Sequence, residues 1–194
     1  MNFLAHIYLS FGDDEITVGN FIADSIRGNK FSHLPPKIQQ GIRLHREIDT
    51  FTDAHPIARQ SSKRLHANYS HYSRVIVDIF YDHFLAANWA TYSDIPLESF
   101  TESFYDMIET HYHILPVGIR RMMPYMIADN WLLSYGTIEG IGRVLNGMNR
   151  RTQNKSKMQY AVIDLEAHYE EFEKEFTSLF EELIIFSRQK MKSL

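Results

Sequence analysis

Apolar residues recur along the chain at steps of three and four, with few prolines or glycines to interrupt them. One segment shows the spacing clearly through Ile76, Ile79, Phe80 and Phe84. This period places apolar side chains on one face of an α-helix, whereas a half-buried strand alternates residue by residue. No alternating β-branched run with hairpin turn signals occurs. The pattern therefore predicts an all-α fold.

Prolines and glycines divide the periodic segments into about eight or nine predicted helices. At 194 residues, the chain is long enough for one domain with its own core. We therefore expect a single all-helical domain over residues 1–194. The predicted segments are residues 3–9, residues 13–28, a helix opened by Pro35-Pro36 and one opened by Pro56, residues 71–89, residues 97–112, short helices between 116 and 136, and a long final helix over 161–192.

The composition excludes several classes of protein. The chain has no cysteine, which excludes a disulfide framework, a thiolate zinc site and thiol catalysis. Its net charge of −4 argues against a basic nucleic-acid binder. No apolar run approaches the roughly 20 residues that span a bilayer. The N-terminus lacks a basic n-region and a small-residue cleavage site, so we expect a mature, cytoplasmic chain that binds neither nucleic acid nor membrane.

Four apolar segments carry His or Asp where an apolar side chain is expected. These residues are His6, Asp24, the pair His45 and Asp49, and the pair Asp82 and His83. His45 and Asp49 are four residues apart, so they share one helix face. A buried carboxylate costs several kcal/mol unless it is paired or bound to a metal. A shared divalent cation would account for the whole pattern.

The chemistry of these side chains restricts which ion fits. Imidazole and carboxylate ligands without sulfur suit Mn²⁺, Fe²⁺, Mg²⁺ or Zn²⁺, and the carboxylates favour the harder ions. Such an ion can activate water near neutral pH and polarise a phosphoryl oxygen. The nearby Arg27 and Arg46 could bind phosphate oxygens through their forked guanidinium groups.

Simpler interpretations exist for single members of this set. A lone histidine such as His6 on an apolar face is often a satisfied core residue, and Asp49 can accept a hydrogen bond near a helix end. Asp78, another carboxylate of the 71–89 helix, can pair with Arg74 one turn earlier on the surface. The coincidence over four segments favours the metal.

Several sequence segments occur together in one known family. They are NFLAHIYLS, GNFIADSIRG, GIRLHREIDTFTD, DIFYDHFLAANW and the late VLNGM. In this order and spacing the chain resembles the acyl carrier protein phosphodiesterases, from residue 1 to about residue 169. The combination of segments is specific, although any single one is weak.

The resemblance implies a distorted HD-domain-like bundle and a metal-dependent phosphodiesterase. Family members use a divalent metal, typically Mn²⁺, with Mg²⁺ or Fe²⁺ as the other candidates here. They hydrolyse the phosphodiester that joins 4′-phosphopantetheine to a serine of holo-acyl carrier protein, and apo-acyl carrier protein is a product. HD enzymes take their ligands in the order His, His-Asp, Asp. Here the dyad is reversed as Asp82-His83, and Asp24 comes early.

On this basis each site residue receives an expected role. Asp24, His45, Asp82 and His83 are expected to hold the metal. The catalytic group is expected to comprise His6, Asp24, Asp49 and Asp82, with His6 as a ligand or a donor to phosphate and Asp49 orienting His45 or completing the ligand set. Arg27 and Arg46 are expected to bind the phosphate.

A protein substrate also needs a docking surface, and acyl carrier proteins are strongly acidic. The stretch between Glu139 and Asp164 has no acidic residue. It carries five cations, namely Arg143, Arg150, Arg151, Lys155 and Lys157. The simple interpretation is a solvated basic loop, and the resemblance favours an electrostatic docking site.

Two other functions remain open at this stage. The same metal site could serve an HD-type phosphohydrolase that acts on a nucleotide. Alternatively, the chain could be a non-catalytic helical module that binds an acidic carrier protein. A shared scaffold hosts many activities, so fold alone does not separate these functions.

Overall fold

The computed structural model describes all 194 residues, and its regular structure is entirely helical. Eight helices have nine or more residues, and four short α-helices and four 3₁₀ turns connect them. The α-helices are α1 (Phe3–Tyr8), α2 (Asp14–Ile22), α3 (Pro36–Ala54), α4 (Pro56–Tyr69), α5 (Ser73–Ala87), α6 (Trp89–Tyr92), α7 (Leu97–Thr110), α8 (Val117–Ala128), α9 (Trp131–Ser134), α10 (Ile138–Arg151), α11 (Ala161–Ala167) and α12 (Tyr169–Ser193). The predicted all-α fold is confirmed.

Local chemistry explains where several of these helices begin. Pro36 and Pro56 are the first residues of α3 and α4, where the missing N–H of proline costs nothing and its fixed φ suits the helix. Asp13 precedes α2 and accepts the backbone N–H of Ile16 at 3.2 Å. This bond satisfies one of the free donors at the helix start.

The C-terminal segment differs from the single long helix that the sequence predicts. The helix is interrupted at His168, whose backbone has φ −129° and ψ 34°. Neither glycine nor proline marks this position. The break lets α11 pack against α10 while α12 packs against α3, α4 and α5, so tertiary packing overrides the local preference for continuity.

One contiguous cluster of 47 buried apolar side chains forms the core, and every α-helix contributes to it. A single shared core makes the chain one domain. Glu175 of α12 is also buried. Its carboxylate accepts hydrogen bonds from the two terminal guanidinium nitrogens of Arg64, each at 2.7 Å. None of the helices is both long and apolar enough to cross a membrane.

Two glycines allow α2 and α3 to approach closely. A Cβ atom on Gly41 would overlap the carbonyl oxygen of Ile16 and lie 2.9 Å from the amide nitrogen of Asn20. A Cβ atom on Gly19 would overlap the carbonyl oxygen of Ile38 in the same way. This contact fixes α3, which carries His45 and Asp49, against α2.

Candidate metal centre

Two helices and one 3₁₀ turn bring four predicted site residues together. His6 comes from α1, His45 and Asp49 come from successive turns of α3, and Asp24 comes from the 3₁₀ turn Ala23–Ser25. The rings of His6 and His45 stack with their centroids 3.9 Å apart and their planes 15° from parallel. One possible ligand atom from each of His6, His45 and Asp49 lies within 4.8 Å of the others.

The two carboxylates converge on one nitrogen of His45. Its Nε2 lies 3.1 Å from Oδ1 of Asp24 and 3.1 Å from Oδ2 of Asp49. Its Nδ1 lies 2.8 Å from the carbonyl oxygen of Asn20, to which it donates. A donor bond at Nδ1 fixes the ring so that Nε2 faces the carboxylates, as in many metal-bound histidines. Sequence reasoning did not identify Asn20, because its role depends on a backbone carbonyl.

Electrostatics gives the two histidines opposite protonation tendencies. Burial lowers the pKa of His6 to about 4, and the neighbouring His45 acts in the same direction. Burial also opposes a charge on His45, but its bonds to Asp24 and Asp49 outweigh that effect and raise its pKa to about 9. Although burial disfavours ionised Asp49, its bond to His45 and the nearby ring of His6 lower its pKa. The bond to His45 also lowers the pKa of Asp24.

His6 is the member of the cluster with unsatisfied polar atoms. It is buried, and neither ring nitrogen has a hydrogen-bond partner. Its Nε2 does lie 3.2 Å from Oδ1 of Asp49, without the alignment of a hydrogen bond. Buried polar atoms without partners are rare and often mark a functional site. A neutral imidazole beside ionised carboxylates is a donor set that fits a divalent cation.

The α-amino group of Met1 adds a charge that sequence reasoning missed. It donates to Oδ1 of Asp78 at 3.0 Å and lies 3.7 Å from Oδ1 of Asp49. Burial lowers its pKa, but Asp78 and Asp49 outweigh this and raise the pKa to about 10. Asp78 therefore does not pair with Arg74, which instead lies 3.8 Å from Asp53.

Asp82 belongs to α5, and its side chain lies against the N-terminal end of α1. Its carboxylate accepts the backbone N–H groups of Leu4 at 2.7 Å, Ala5 at 3.2 Å and Asn2 at 3.3 Å. Burial raises its pKa to about 7, although these N–H groups and the Met1 ammonium act in the opposite direction. All three bonds hold the helix that carries His6, so in this arrangement Asp82 positions another residue of the cluster.

His83 faces a different part of the core from His6 and His45. Its Nδ1 lies 2.7 Å from the carbonyl oxygen of Tyr135, and its Nε2 lies 3.0 Å from the hydroxyl of Tyr169. The structure brings together His6, Asp24, His45 and Asp49, and it does not bring His83 to them.

The two arginines expected at the phosphate have different surroundings. Arg27 is exposed and makes no ion pair. Arg46 is half-buried and donates to the carbonyl oxygen of Gly28 at 2.5 Å, with its guanidinium group over the ring of Phe31. Arg46 therefore holds the loop that carries Arg27, and Arg27 is the freer cation.

The basic stretch occupies the end of α10 and the loop after it. Arg150, Arg151, Lys155 and Lys157 are exposed there. Arg143 is also exposed but pairs with Glu139 at 2.7 Å, one turn earlier.

Comparison with known proteins gives a consistent result over most of the chain. The family model described as acyl carrier protein phosphodiesterase matches residues 1–183. Proteins named acyl carrier protein phosphodiesterase from Salmonella paratyphi A and Photorhabdus laumondii are each 34% identical over 177 residues. The alignment with the Salmonella protein covers 91% of this chain and 92% of that protein. The alignment with the Photorhabdus protein covers 89% of this chain and 88% of that protein. No solved structure is significantly similar to the chain.

Proposed function

The chain belongs to the acyl carrier protein phosphodiesterase family, and we propose that His6, His45 and Asp49 hold the divalent ion with which it hydrolyses holo-acyl carrier protein. Water attacks the phosphorus of the phosphodiester, and the bond from phosphorus to the serine oxygen breaks. The serine oxygen gains a proton, and 4′-phosphopantetheine leaves as a phosphomonoester. The bound ion supplies an activated water and a polarised phosphoryl oxygen.

One observation carries this proposal: the Nε2 atom of His45 lies 3.1 Å from an oxygen of Asp24 and 3.1 Å from an oxygen of Asp49, beside a His6 ring whose nitrogens have no hydrogen-bond partner. The same field that raises the pKa of His45 favours a cation at this position. Binding a metal there would displace the proton and give the nitrogens of His6 and His45 a common partner. The N and O donors suit Mn²⁺, with Mg²⁺ and Fe²⁺ as alternatives.

The surrounding residues orient the cluster and the substrate. Asp24 approaches from the solvent side, with 77% of its side chain exposed, and completes the ligand set where substrate enters. Asp82 holds α1 and thereby places His6, so we assign it a positioning role in addition to its predicted part in catalysis. Arg27 binds the non-reacting phosphate oxygens, and Arg46 fixes the loop that presents it.

We propose that the basic stretch attracts the acyl carrier protein. Arg150, Arg151, Lys155 and Lys157 are exposed and carry no ion pair, so they provide a positive surface for an acidic protein. Arg143 contributes less, because Glu139 already neutralises it. The cytoplasm is the expected site of this reaction.

Intact-mass spectrometry of holo-acyl carrier protein tests the proposed function. We expect the wild-type protein with Mn²⁺ to remove the mass of the prosthetic group, and a chelator to prevent this. Asp49→Asn keeps the size of the side chain but removes the negative charge of a proposed metal ligand. The rate of hydrolysis of holo-acyl carrier protein should therefore fall at least about 100-fold.

Asp129→Asn is the matched control, since Asp129 is exposed, makes no ion pair and is not part of the cluster. Its rate should equal that of the wild type. Unchanged carrier protein with a metal-loaded wild type would refute the activity. Equal rates for Asp49→Asn and wild type would refute the assigned cluster.

A further inference from the structure

A polar cleft of about 850 Å³ lies between α4 and α5, next to the candidate metal centre. Only Ala58, Ala67 and Val77 among its fourteen lining residues are apolar. The other eleven have polar or charged side chains, so the cleft offers charges and hydrogen bonds together with the carbon stems of those side chains.

The charge of the cleft is positive. Arg59, Lys63 and Arg74 line it, and His66 and His71 lie among them. Arg59 and Lys63 are four residues apart on α4, so both face the cleft from one side of the helix.

The carboxylates of the cleft pair with only one of these three cations, Arg74. Asp78 is paired with the ammonium group of Met1 at 3.0 Å, and Asp53 lies 3.8 Å from Arg74. Lys63 has no carboxylate within ion-pair distance, and Arg59 donates only to a backbone carbonyl. An excess of unpaired positive charge is left for an anionic partner.

One end of the cleft lies close to the metal centre, from which the buried ammonium group of Met1 separates it. Asp78 lines the cleft and binds the Met1 ammonium, which lies 3.7 Å from Asp49. Whatever occupies the cleft is therefore a near neighbour of a phosphodiester bound at His6, His45 and Asp49.

The other end of the cleft reaches the basic stretch. Ala67 lines both this cleft and a second cavity of about 400 Å³, to which Lys157, Tyr160 and Ile163 contribute. Tyr160 and Ile163 are large side chains with 56% and 65% exposure. The one carboxylate of this second cavity, Asp164, is already bonded to the hydroxyl of Tyr69. The two cavities therefore adjoin at Ala67, and their lining extends along α4 from Asp78, beside the metal centre, to Lys157.

Resting on the proposed function, we infer that this surface binds the acidic face of the carrier protein beside its modified serine. The scissile phosphodiester has a folded protein on its serine side and a neutral pantetheine chain on the other. A neutral chain gives no reason for a row of cations, whereas an acidic protein does. Arg59, Lys63 and Arg74 hold the part nearest the serine, and Lys157, Tyr160 and Ile163 hold the distal part.

Binding of apo-acyl carrier protein tests this inference without chemistry, because the apo-protein lacks the phosphodiester. The test variant is Arg59→Glu/Lys63→Glu. The control is Lys174→Glu/Lys192→Glu, which makes the same change in net charge at exposed lysines that line neither cavity. Affinity is measured by fluorescence anisotropy at low and high salt, and circular dichroism verifies that each variant is folded.

We expect the cleft variant to bind at least about tenfold more weakly and to lose most of its salt dependence. The control should stay within about twofold of the wild type. An equal loss in both variants would show that only net charge matters, and an unchanged affinity of the cleft variant would exclude the cleft; each overturns the inference. Stronger binding of the wild type to an oligonucleotide than to the carrier protein would overturn it too.

The same preparations separate this inference from the proposed function. Binding that depends on Arg59 and Lys63, without hydrolysis of holo-protein by the wild type, would support the docking surface and refute the activity. Hydrolysis by the wild type together with cleft-independent binding would refute the docking surface and leave the activity standing.

Discussion

Substitution of Gly41 by alanine should destabilise the fold through the contact between α2 and α3. The added Cβ overlaps the carbonyl oxygen of Ile16 and lies 2.9 Å from the amide nitrogen of Asn20. Both neighbours are backbone atoms of a helix, so no side chain can rotate away. The two helices must instead move apart along the contact that also places His45 beside the carbonyl of Asn20.

Overpacking in a close-packed interior typically costs about 1–3 kcal/mol, and a clash with rigid backbone belongs at or above the upper end. We therefore expect a loss of at least about 3 kcal/mol in unfolding free energy. For a chain of this length, that corresponds to a fall of roughly 6–12 °C in melting temperature. Because His45 moves with α3, the apparent Kd for Mn²⁺ should also rise.

Gly147→Ala is the control, since a Cβ there meets nothing within 4 Å and lies inside α10. Alanine is the better helix former, so this variant should gain about 0.5–1 kcal/mol. Thermal melts and urea titrations of both variants provide the comparison. A Gly41→Ala protein that melts with the wild type would refute the argument from close approach.

Three further predictions follow from the buried charges. Arg64→Ala leaves the buried Glu175 without the arginine that donates two hydrogen bonds to it, so the unfolding free energy should fall by about 3–5 kcal/mol in urea titrations. Arg64→Lys should lose less. Equal urea midpoints for Arg64→Ala and the wild type would contradict this prediction. Burial raises the pKa of Asp82 to about 7, so between roughly pH 4 and pH 7 the unfolded chain has released a proton that the folded protein keeps. Rising pH therefore favours unfolding over this interval in the metal-free protein, and Asp82→Asn should show a smaller decline in urea titrations; parallel pH profiles would refute the assignment. Mn²⁺ at about 100 times its Kd should stabilise the wild type by about 2.7 kcal/mol, visible as a rise of roughly 5–11 °C in a thermal shift assay, whereas His45→Ala should show no rise.

Local rules were sufficient for most of the fold. Proline at the first helical position marks α3 and α4, and the three-to-four spacing of apolar residues identifies α5 and α7. The interruption at His168 has no such local signal. It depends on which helices α11 and α12 contact, and that information lies in residues distant along the chain.

The candidate site was predictable where side chains share a helix face. His45 and Asp49 are four residues apart, and their side chains do meet. Adjacent helical residues instead point about 100° apart, because a turn contains about 3.6 residues. Asp82 and His83 accordingly contact different parts of the core, which the sequence interpretation of a reversed dyad did not take into account.

The parts of the site that the sequence did not predict are backbone groups. The carbonyl of Asn20 and the amino group of Met1 both face the cluster or its carboxylates. Every residue has a carbonyl, and no residue type identifies which one will orient a histidine. Only the packing of α1 and α2 against α3 and α5 selects these two groups.

The position of the metal tests the central claim most directly. Anomalous diffraction from crystals of the wild-type protein soaked in Mn²⁺ would locate the ion without reference to activity. We predict one strong peak within coordination distance of His6, His45 and Asp49, on the side that Asp24 faces. A peak beside His83, or no peak at this cluster in Mn²⁺-saturated crystals, would contradict the account.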